Sequence, residues 1–235
     1  MLFGIIDGEK TAATPGTTAV CPSCGRTMTS KCGNINVWHW AHHKDASCDT
    51  WYEPETEWHK NWKLLFGKDL TEVVISKDGV KHIADVFTKE KVVIELQNSP
   101  IEKATIRERE IFYGEQMIWV INGKPFKNNF QYSRSRSFHL DDDDKYFWQS
   151  NPLAKKASSI RVSDYKGEYD FHWARAKKSW AGVQREVFID FGFHFLFWVK
   201  EGMGTKKGKG KLITKEMFVK KHGGNLERLK RWDNR

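Results

Sequence analysis

Hydrophobic periodicity and residue clustering predict an α/β protein of the α+β kind, with three unlike regions along 235 residues. Three features lead there. Residues 51–125 alternate between helix-period and strand-period apolar patterns. All four cysteines, Cys21, Cys24, Cys32 and Cys48, fall near the N-terminus. Residues 151–235 are basic and aromatic. The expected organisation is a small cysteine-bearing module over 1–50, a mixed sheet flanked by helices over 51–125, a linker over 126–150, and a basic extension over 151–235 with strands and a helix.

The middle region reads as helix–strand–strand–strand–helix–strand. Between Thr56 and Phe66, Trp58, Trp62, Leu65 and Phe66 recur at the spacing of one helical face. Leu70–Ser76 is β-rich, and Lys77-Asp78-Gly79 supplies a turn because Asp-Gly tolerates positive φ. Strands are expected over Val80–Thr88 and Lys91–Gln97, joined by a tight polar turn. Pro100 is suited to open a helix that runs to about Tyr113. Met117–Asn122 is a buried strand stopped by Gly123. In the linker, the SRSRS stretch and the acidic run Asp141–Asp144 resist burial because like charges repel. Further on, Val187–Val199 predicts one or two buried strands with a turn near Asp190 and Gly192. Thr214–His222 predicts a helix capped by Thr214 and ended by Gly223-Gly224.

Composition bounds the function. Hydrophobic residues make up 39% of the chain, enough for a core. No run of about 18 apolar residues exists, so no membrane-spanning helix is expected. The opening MLFGIIDGEK is too short and too soon charged for a signal peptide, so a cytoplasmic location is expected. The net charge is +9 and unevenly placed: residues 151–235 hold 20 Lys+Arg against 9 Asp+Glu, and residues 1–150 hold 19 against 21. A basic half suggests a polyanionic partner; a basic surface kept for solubility is the plainer reading. Of the 11 tryptophans, most belong to the core, although Trp also stacks on unpaired bases.

Cys21-Pro22-Ser23-Cys24-Gly25 is a CxxC knuckle, and two thiolates at this spacing can grip one tetrahedral ion. A second ligand pair must come from the His39-Trp40-Ala41-His42 stretch and a later cysteine. The preferred set is Cys21, Cys24, His42 and Cys48, with His39 as substitute for His42 and Cys32 for Cys48. A redox dithiol or free buried thiols is the alternative, but a redox CxxC is expected beside a βαβ pattern, which is missing. Four protein ligands leave no open position for water, so the zinc is expected to be structural.

Glu95 and Gln97 share one face of their strand, by period two, and Asp85 shares a face with Ile83 and Phe87 on the strand before. A carboxylate among apolar residues is costly unless it is paired or binds a cation. Two of them on neighbouring strands suit Mg²⁺, which takes a few carboxylates plus waters and phosphate oxygens. Glu57, beside the apolar stripe of the first helix, can approach the same ion. Exposed acids paired to Lys81 or Lys91 are the alternative.

The ordered set resembles the competence protein CoiA-like family. Cys21-Pro22-x-Cys24 is followed by Lys31-x-Gly33, by His39-Trp40-Ala41-His42, by Glu57-x-His59 with Lys60 and Lys63, by Asp85-Val86, by Ile94-Glu95-Leu96-Gln97-x-Ser99, and by Arg109-x-x-x-Tyr113 before Trp119-Val120-Ile121. The resemblance covers roughly residues 20–122. It implies a restriction-endonuclease-like PD-(D/E)xK core, with Asp85, Glu95 and the Leu96 carbonyl holding Mg²⁺ or Mn²⁺ and Glu57 in support. Gln97 stands where the family pattern has lysine, and can position water by hydrogen bonds without supplying charge. Ala84 stands where a proline is usual, and Cys32 is additional.

The function so implied is metal-dependent hydrolysis of DNA phosphodiester bonds, with a structural zinc and double- or single-stranded DNA as partner. The expected backbone contacts are Lys60, Arg109, and Lys206, Lys207, Lys209 and Lys211 of the glycine-spaced run KKGKGK, read as a loop. A dimer is compatible with the sequence, which sets no oligomeric state. The alternative function is a zinc-containing DNA-binding or recombination accessory protein whose nuclease core is inactive.

Overall fold

The computed structural model describes residues 1–35, 37–43, 48–51, 53–134 and 167–233. They form two compact units, Met1–Ser99 with Val219–Arg235, and Pro100–Phe218. The α+β class is as expected, with a mixed sheet and few helices.

The first unit opens with an antiparallel sheet of short strands: β1 (Phe3–Ile6), β2 (Glu9–Ala12), β3 (Thr18–Val20), β4 (Thr27–Lys31) and β5 (His39–Ala41), in the order β2-β1-β3-β4-β5. Its core is small, with Ala19, Cys21, Met28 and Trp40 buried together. Helix α1 (Glu57–Phe66) follows, capped by the Thr56 side chain, which accepts the His59 N–H. Trp58, Trp62, Leu65 and Phe66 are buried on one face, as their spacing predicts. Strands β6 (Thr71–Lys77) and β7 (Val80–Phe87) make a hairpin. Its two turn residues, Asp78 at φ 51° and Gly79 at φ 80°, are both left-handed, the geometry that matches strand twist. Strand β8 (Val93–Gln97) runs antiparallel to β7 and is buried throughout.

The second unit holds α2 (Lys103–Tyr113) and strands β9 (Met117–Asn122), β10 (Phe130–Arg134), β11 (Tyr169–Trp173), β12 (Glu186–Asp190), β13 (Phe195–Glu201) and β14 (Lys207–Thr214). The order is β10-β11-β14-β13-β12-β9, with β12 parallel to β9 and the other pairs antiparallel. Aromatic residues fill its interior: Phe130, Phe171 and Phe197 approach one another at centroid separations of 5.0–5.8 Å. Helix α3 (Lys215–Lys221) follows β14 with Thr214 Oγ1 accepting the Met217 N–H.

Four expectations change. Helix α2 begins at Lys103, not near Pro100, because its first backbone bond runs from the Ile106 N–H to the Glu102 carbonyl. The span expected to start a linker at 126 carries the end of a 3-10 turn, Lys124–Asn129, and strand β10; Asp141–Asp144 and most of SRSRS lie outside the described residues. The chain returns at its end to the first unit as α4 (Leu226–Asp233), where Arg228 donates to the Leu64 carbonyl at 2.6 Å and Trp232 meets Trp62 edge-on at 5.5 Å. Most of KKGKGK is strand rather than loop: Lys207–Lys211 belong to β14.

The glycines explain that strand. A Cβ at Gly208 would stand 2.6 Å from the Phe171 ring, and one at Gly210 would enter the Phe197 ring. They are small because aromatic rings pack on the strand there, and the lysines between them take the other face. Gly210→Val is therefore expected to destabilise the second unit by about 1–3 kcal/mol through overpacking, read as an earlier denaturant midpoint. An unchanged midpoint would mean that the rings do not pack on this strand.

No helix among the described residues is long and apolar enough to cross a membrane.

Candidate metal centres of the first unit

Cys21, Cys24, His42 and Cys48 converge, with their ligand atoms all within 4.8 Å of one another. The knuckle is held by its own backbone, Gly25 N–H donating to the Cys21 carbonyl at 3.0 Å. Cys21 Sγ lies 3.7 Å from Cys48 Sγ, and Cys24 Sγ lies 3.3 Å from His42 Nε2. Metal–sulfur bonds of about 2.3 Å in a tetrahedron require sulfurs about 3.8 Å apart, close to the Cys21–Cys48 separation, so the donor set and its spacing suit a zinc ion. Without a cation the thiols oppose one another: burial and the neighbouring Cys21 sulfur push the Cys48 thiol up to about 12. The two substitute ligands are not in the cluster. His39 Nδ1 is 2.7 Å from the Val37 carbonyl, and His39 and Cys32 line a separate recess.

A cavity of ≈ 370 Å³ lies alongside, lined by His42, Cys48 and Asp49 from this module and by Glu53, Glu55, His59, Lys63, Glu72, Asp85, Glu95 and Leu96. The sheet explains why acids gather here. The β7–β8 ladder pairs Phe87 with Val93 and Val86 with Ile94, and then side chains take over. The Asp85 N–H donates to Glu95 Oε1 at 3.4 Å, and the Leu96 N–H donates to Asp85 Oδ2 at 2.9 Å. Each acid satisfies a backbone amide that the interrupted ladder leaves over.

Lys63 is the buried lysine of the cavity. Its Nζ lies 3.0 Å from Glu55 Oε2, 3.0 Å from Glu72 Oε1 and 3.1 Å from Asp85 Oδ1. Burial favours a neutral lysine, but the three carboxylates outweigh it and hold the pKa well above the ordinary lysine value. Burial likewise tends to raise the Asp85 pKa, yet Lys63, His59 and the Leu96 N–H bring it below the usual carboxylate range. Glu72 is lowered in the same way, burial being outweighed by Lys63, the chain amino group and the Phe3 and Leu2 amides. Those amides donate to its two oxygens at 2.9 and 2.8 Å, which ties the start of the chain to β6.

Of the residues expected from sequence, Asp85, Glu95 and Leu96 meet at the cavity. The Leu96 carbonyl faces His59 Nε2 at 3.2 Å. Gln97 does not line the cavity. It is buried, and its Nε2 donates to Glu53 and, at 3.0 Å, to the Ser99 carbonyl. Glu57 is also elsewhere: its side chain is 65% exposed and pairs with Lys60 at 3.4 Å. Thr56 caps the helix, so Glu57 begins the first turn on its solvent side. Arg109 belongs to the second unit, buried, with its guanidinium 5.9 Å from the Trp119 ring centroid. Sequence reasoning missed Glu53, Glu55 and Glu72. The readable signal was the alternation in Glu53-Pro54-Glu55, which places both acids on one side of an extended segment, and Lys63 at i+4 from His59.

The profile of the competence protein CoiA N-terminal domain matches residues 10–50, and that of the competence protein CoiA nuclease-like domain matches residues 72–165. The chain belongs to the CoiA-like family. In family terms, the cysteine cluster falls to the N-terminal domain match and Asp85 and Glu95 to the nuclease-like one, while α1 with Lys63 lies between the two matched stretches. No curated protein and no solved structure matches the chain.

Proposed function

We propose that this CoiA-like chain is a divalent-metal-dependent deoxyribonuclease of the cytoplasm, with structural zinc on Cys21, Cys24, His42 and Cys48. The observation that carries the reading is the break in the β7–β8 ladder, where Asp85 and Glu95 turn into a cavity beside a buried lysine. Hard-oxygen donors on adjacent strands, with Leu96 lining the same cavity and an unpartnered buried Glu55 Oε1 nearby, suit Mg²⁺ or Mn²⁺. Such an ion would lower the pKa of a bound water and polarise the scissile phosphate. Lys63 supplies the fixed positive charge that Gln97 lacks, and sets the Asp85 oxygens by holding one of them. Gln97 acts through Glu53 rather than on water directly. His59 orients the Leu96 carbonyl.

Plasmid and single-stranded DNA, incubated with the protein in Mg²⁺ or Mn²⁺, test this reading. Asp85→Ala and Glu95→Ala are each expected to lower the cleavage rate by more than about 100-fold, beyond the effect of losing an outer supporting residue. Cleavage that survives both changes would overturn the assignment. A second reading, a DNA-binding accessory protein without hydrolysis, is favoured by the Lys63–Asp85 ion pair, which already neutralises the acid; binding without cleavage under either metal would establish it.

Lys207, Lys209 and Lys211 share one face of β14 and provide phosphate contacts. Changing all three to Gln is expected to flatten the dependence of log K on log salt by about 2–3, since each lost contact removes roughly 0.7–0.9. Fluorescence anisotropy across a salt series would measure it, and an unchanged slope would remove these lysines from the interface.

A further inference from the structure

The residues after Cys48 do more than connect the cysteine cluster to α1. Asp49, the next residue, accepts the Ile83 N–H through Oδ2 at 2.7 Å and meets His82 Nδ1 through Oδ1 at 2.9 Å. Trp51 lies flat on the His82 ring, with centroids 3.3 Å apart and planes 7° apart. Glu53 accepts the Asn98 N–H at 3.3 Å and the Ser99 hydroxyl at 2.7 Å, just past β8. Glu55 holds Lys63. Asp49 and Trp51, Glu53, and Glu55 thus grip β7, the end of β8 and α1 in turn. Ile83 lies two residues before Asp85, on the stretch of β7 where the pairing with β8 has stopped. Its amide has Asp49 where a neighbouring strand would supply a carbonyl.

We propose that Asp49, Trp51 and Glu53 are positioning residues, a strap anchored at Cys48 that fixes the gap between β7 and β8. Through it, the cation affinity of Asp85 and Glu95 depends on occupancy of the cysteine–histidine cluster. This rests on the metal-dependent nuclease reading for its consequence, though not for its geometry. An ion at the cluster fixes the Cys48 sulfur, which fixes the Asp49 backbone and hence the length over which Asp49 must reach Ile83. Loss of the ion frees that end of the strap. Asp85, two residues along the same strand, then loses the register that lets it share the Leu96 amide and the Glu95 carboxylate.

The test uses the zinc-loaded full chain with Asp49→Ala, and Asp49→Asn as the conservative variant that keeps an acceptor for Ile83. Zinc content, Mn²⁺ affinity by electron paramagnetic resonance, and amide exchange at Ile83 by NMR are measured together. The expected result for Asp49→Ala is one zinc retained, Ile83 exchange accelerated, and Mn²⁺ affinity lowered about 10–100-fold, the usual effect of losing an outer-shell partner. Asp49→Asn should recover most of the Ile83 protection and part of the affinity. Unchanged Ile83 exchange and unchanged Mn²⁺ affinity in a zinc-loaded Asp49→Ala protein would overturn the strap. If the wild-type chain binds no Mn²⁺, the nuclease reading fails, and the coupling of the strap to cation affinity fails with it. In that case Ile83 exchange, compared with and without zinc, still decides whether the strap exists. Should Asp49→Ala not fold, Trp51→Leu reads the same exchange, and unchanged protection there is equally fatal.

Discussion

Lys63→Met is expected to destabilise the first unit by about 3–5 kcal/mol, the usual effect of stripping one partner from a buried ionic cluster, and to reverse how its stability depends on pH. In the native chain the Lys63 ammonium lies 3.0–3.1 Å from carboxylates of Glu55, Glu72 and Asp85. Glu72 and Asp85 have depressed folded-state pKa values, so the stability they contribute is present above their unfolded values, near pH 4, and is lost as pH falls through the lower folded values. The Lys63 pKa is raised, so its contribution is full below the unfolded lysine value, near pH 10, and is lost only above it. The native plateau therefore runs from about pH 5 to pH 10. With methionine in its place, the largest influence lowering Asp85 and Glu72 is lost, burial is opposed only by His59, the chain amino group and the backbone amides, and their pKa values are expected to rise. A rise past the unfolded values means that protonation stabilises the fold, so the variant should melt higher at pH 5 than at pH 8. Lys63→Arg keeps the charge and should keep the native sign. Urea melts at the two pH values measure this, and a Lys63→Met protein that loses stability on acidification would show that the three acids do not depend on this lysine.

The contrast between what was readable and what was not follows from range. Helix α1, the Asp78-Gly79 turn and β9 were legible because their signals are local: a helical apolar stripe, a residue pair at ease with positive φ, and an unbroken apolar run. The cysteine cluster was legible for another reason, since thiolates at knuckle spacing have few other uses. Strand alternation put Asp85 and Glu95 on definite strand faces, but their joint role came from the family resemblance, and Gln97, on the same face as Glu95 by alternation, does not line the cavity. Glu57 misled because nearness to an apolar stripe does not say which side of the cap a residue takes. Thr56 N-caps the helix, so the inward acids are Glu53 and Glu55, before it. The run KKGKGK misled more deeply. Glycine between lysines signals a mobile loop unless an aromatic ring needs the space of a missing side chain, and Phe171 and Phe197 come from the two strands paired with β14, a pairing that the run itself does not show. The return of α4 to α1 is of the same kind: its apolar face is visible in sequence, but not the Trp62 that it meets.

Removing the cluster's metal, by a chelator or by Cys21→Ser with Cys24→Ser, is expected to disorder strands β1–β5. These strands run to only three to five residues each, and the buried core beneath them is a handful of side chains around Met28 and Trp40. So small a sheet buries too little surface to offset its own ordering entropy. Structural zinc contributes about 10–16 kcal/mol of apparent binding free energy in comparable small sites, as much as the whole stability of a typical domain, about 5–15 kcal/mol. The loss should not stay local. The chain amino group lies 3.3 Å from the Trp40 carbonyl, and the Leu2 and Phe3 amides sit on Glu72, which in turn holds Lys63. Disordering β1 and β5 therefore releases one carboxylate of the lysine cluster from its backbone donors, and the acid cavity loosens from the N-terminal side. Amide exchange should show Leu2 and Phe3 losing protection together with Trp40, and added zinc should restore all three in the chelated wild type but not in the serine variant. Protection that persists at Leu2, Phe3 and Trp40 without bound metal would show that the sheet stands on its own packing, and that the cysteine cluster has some use other than holding it.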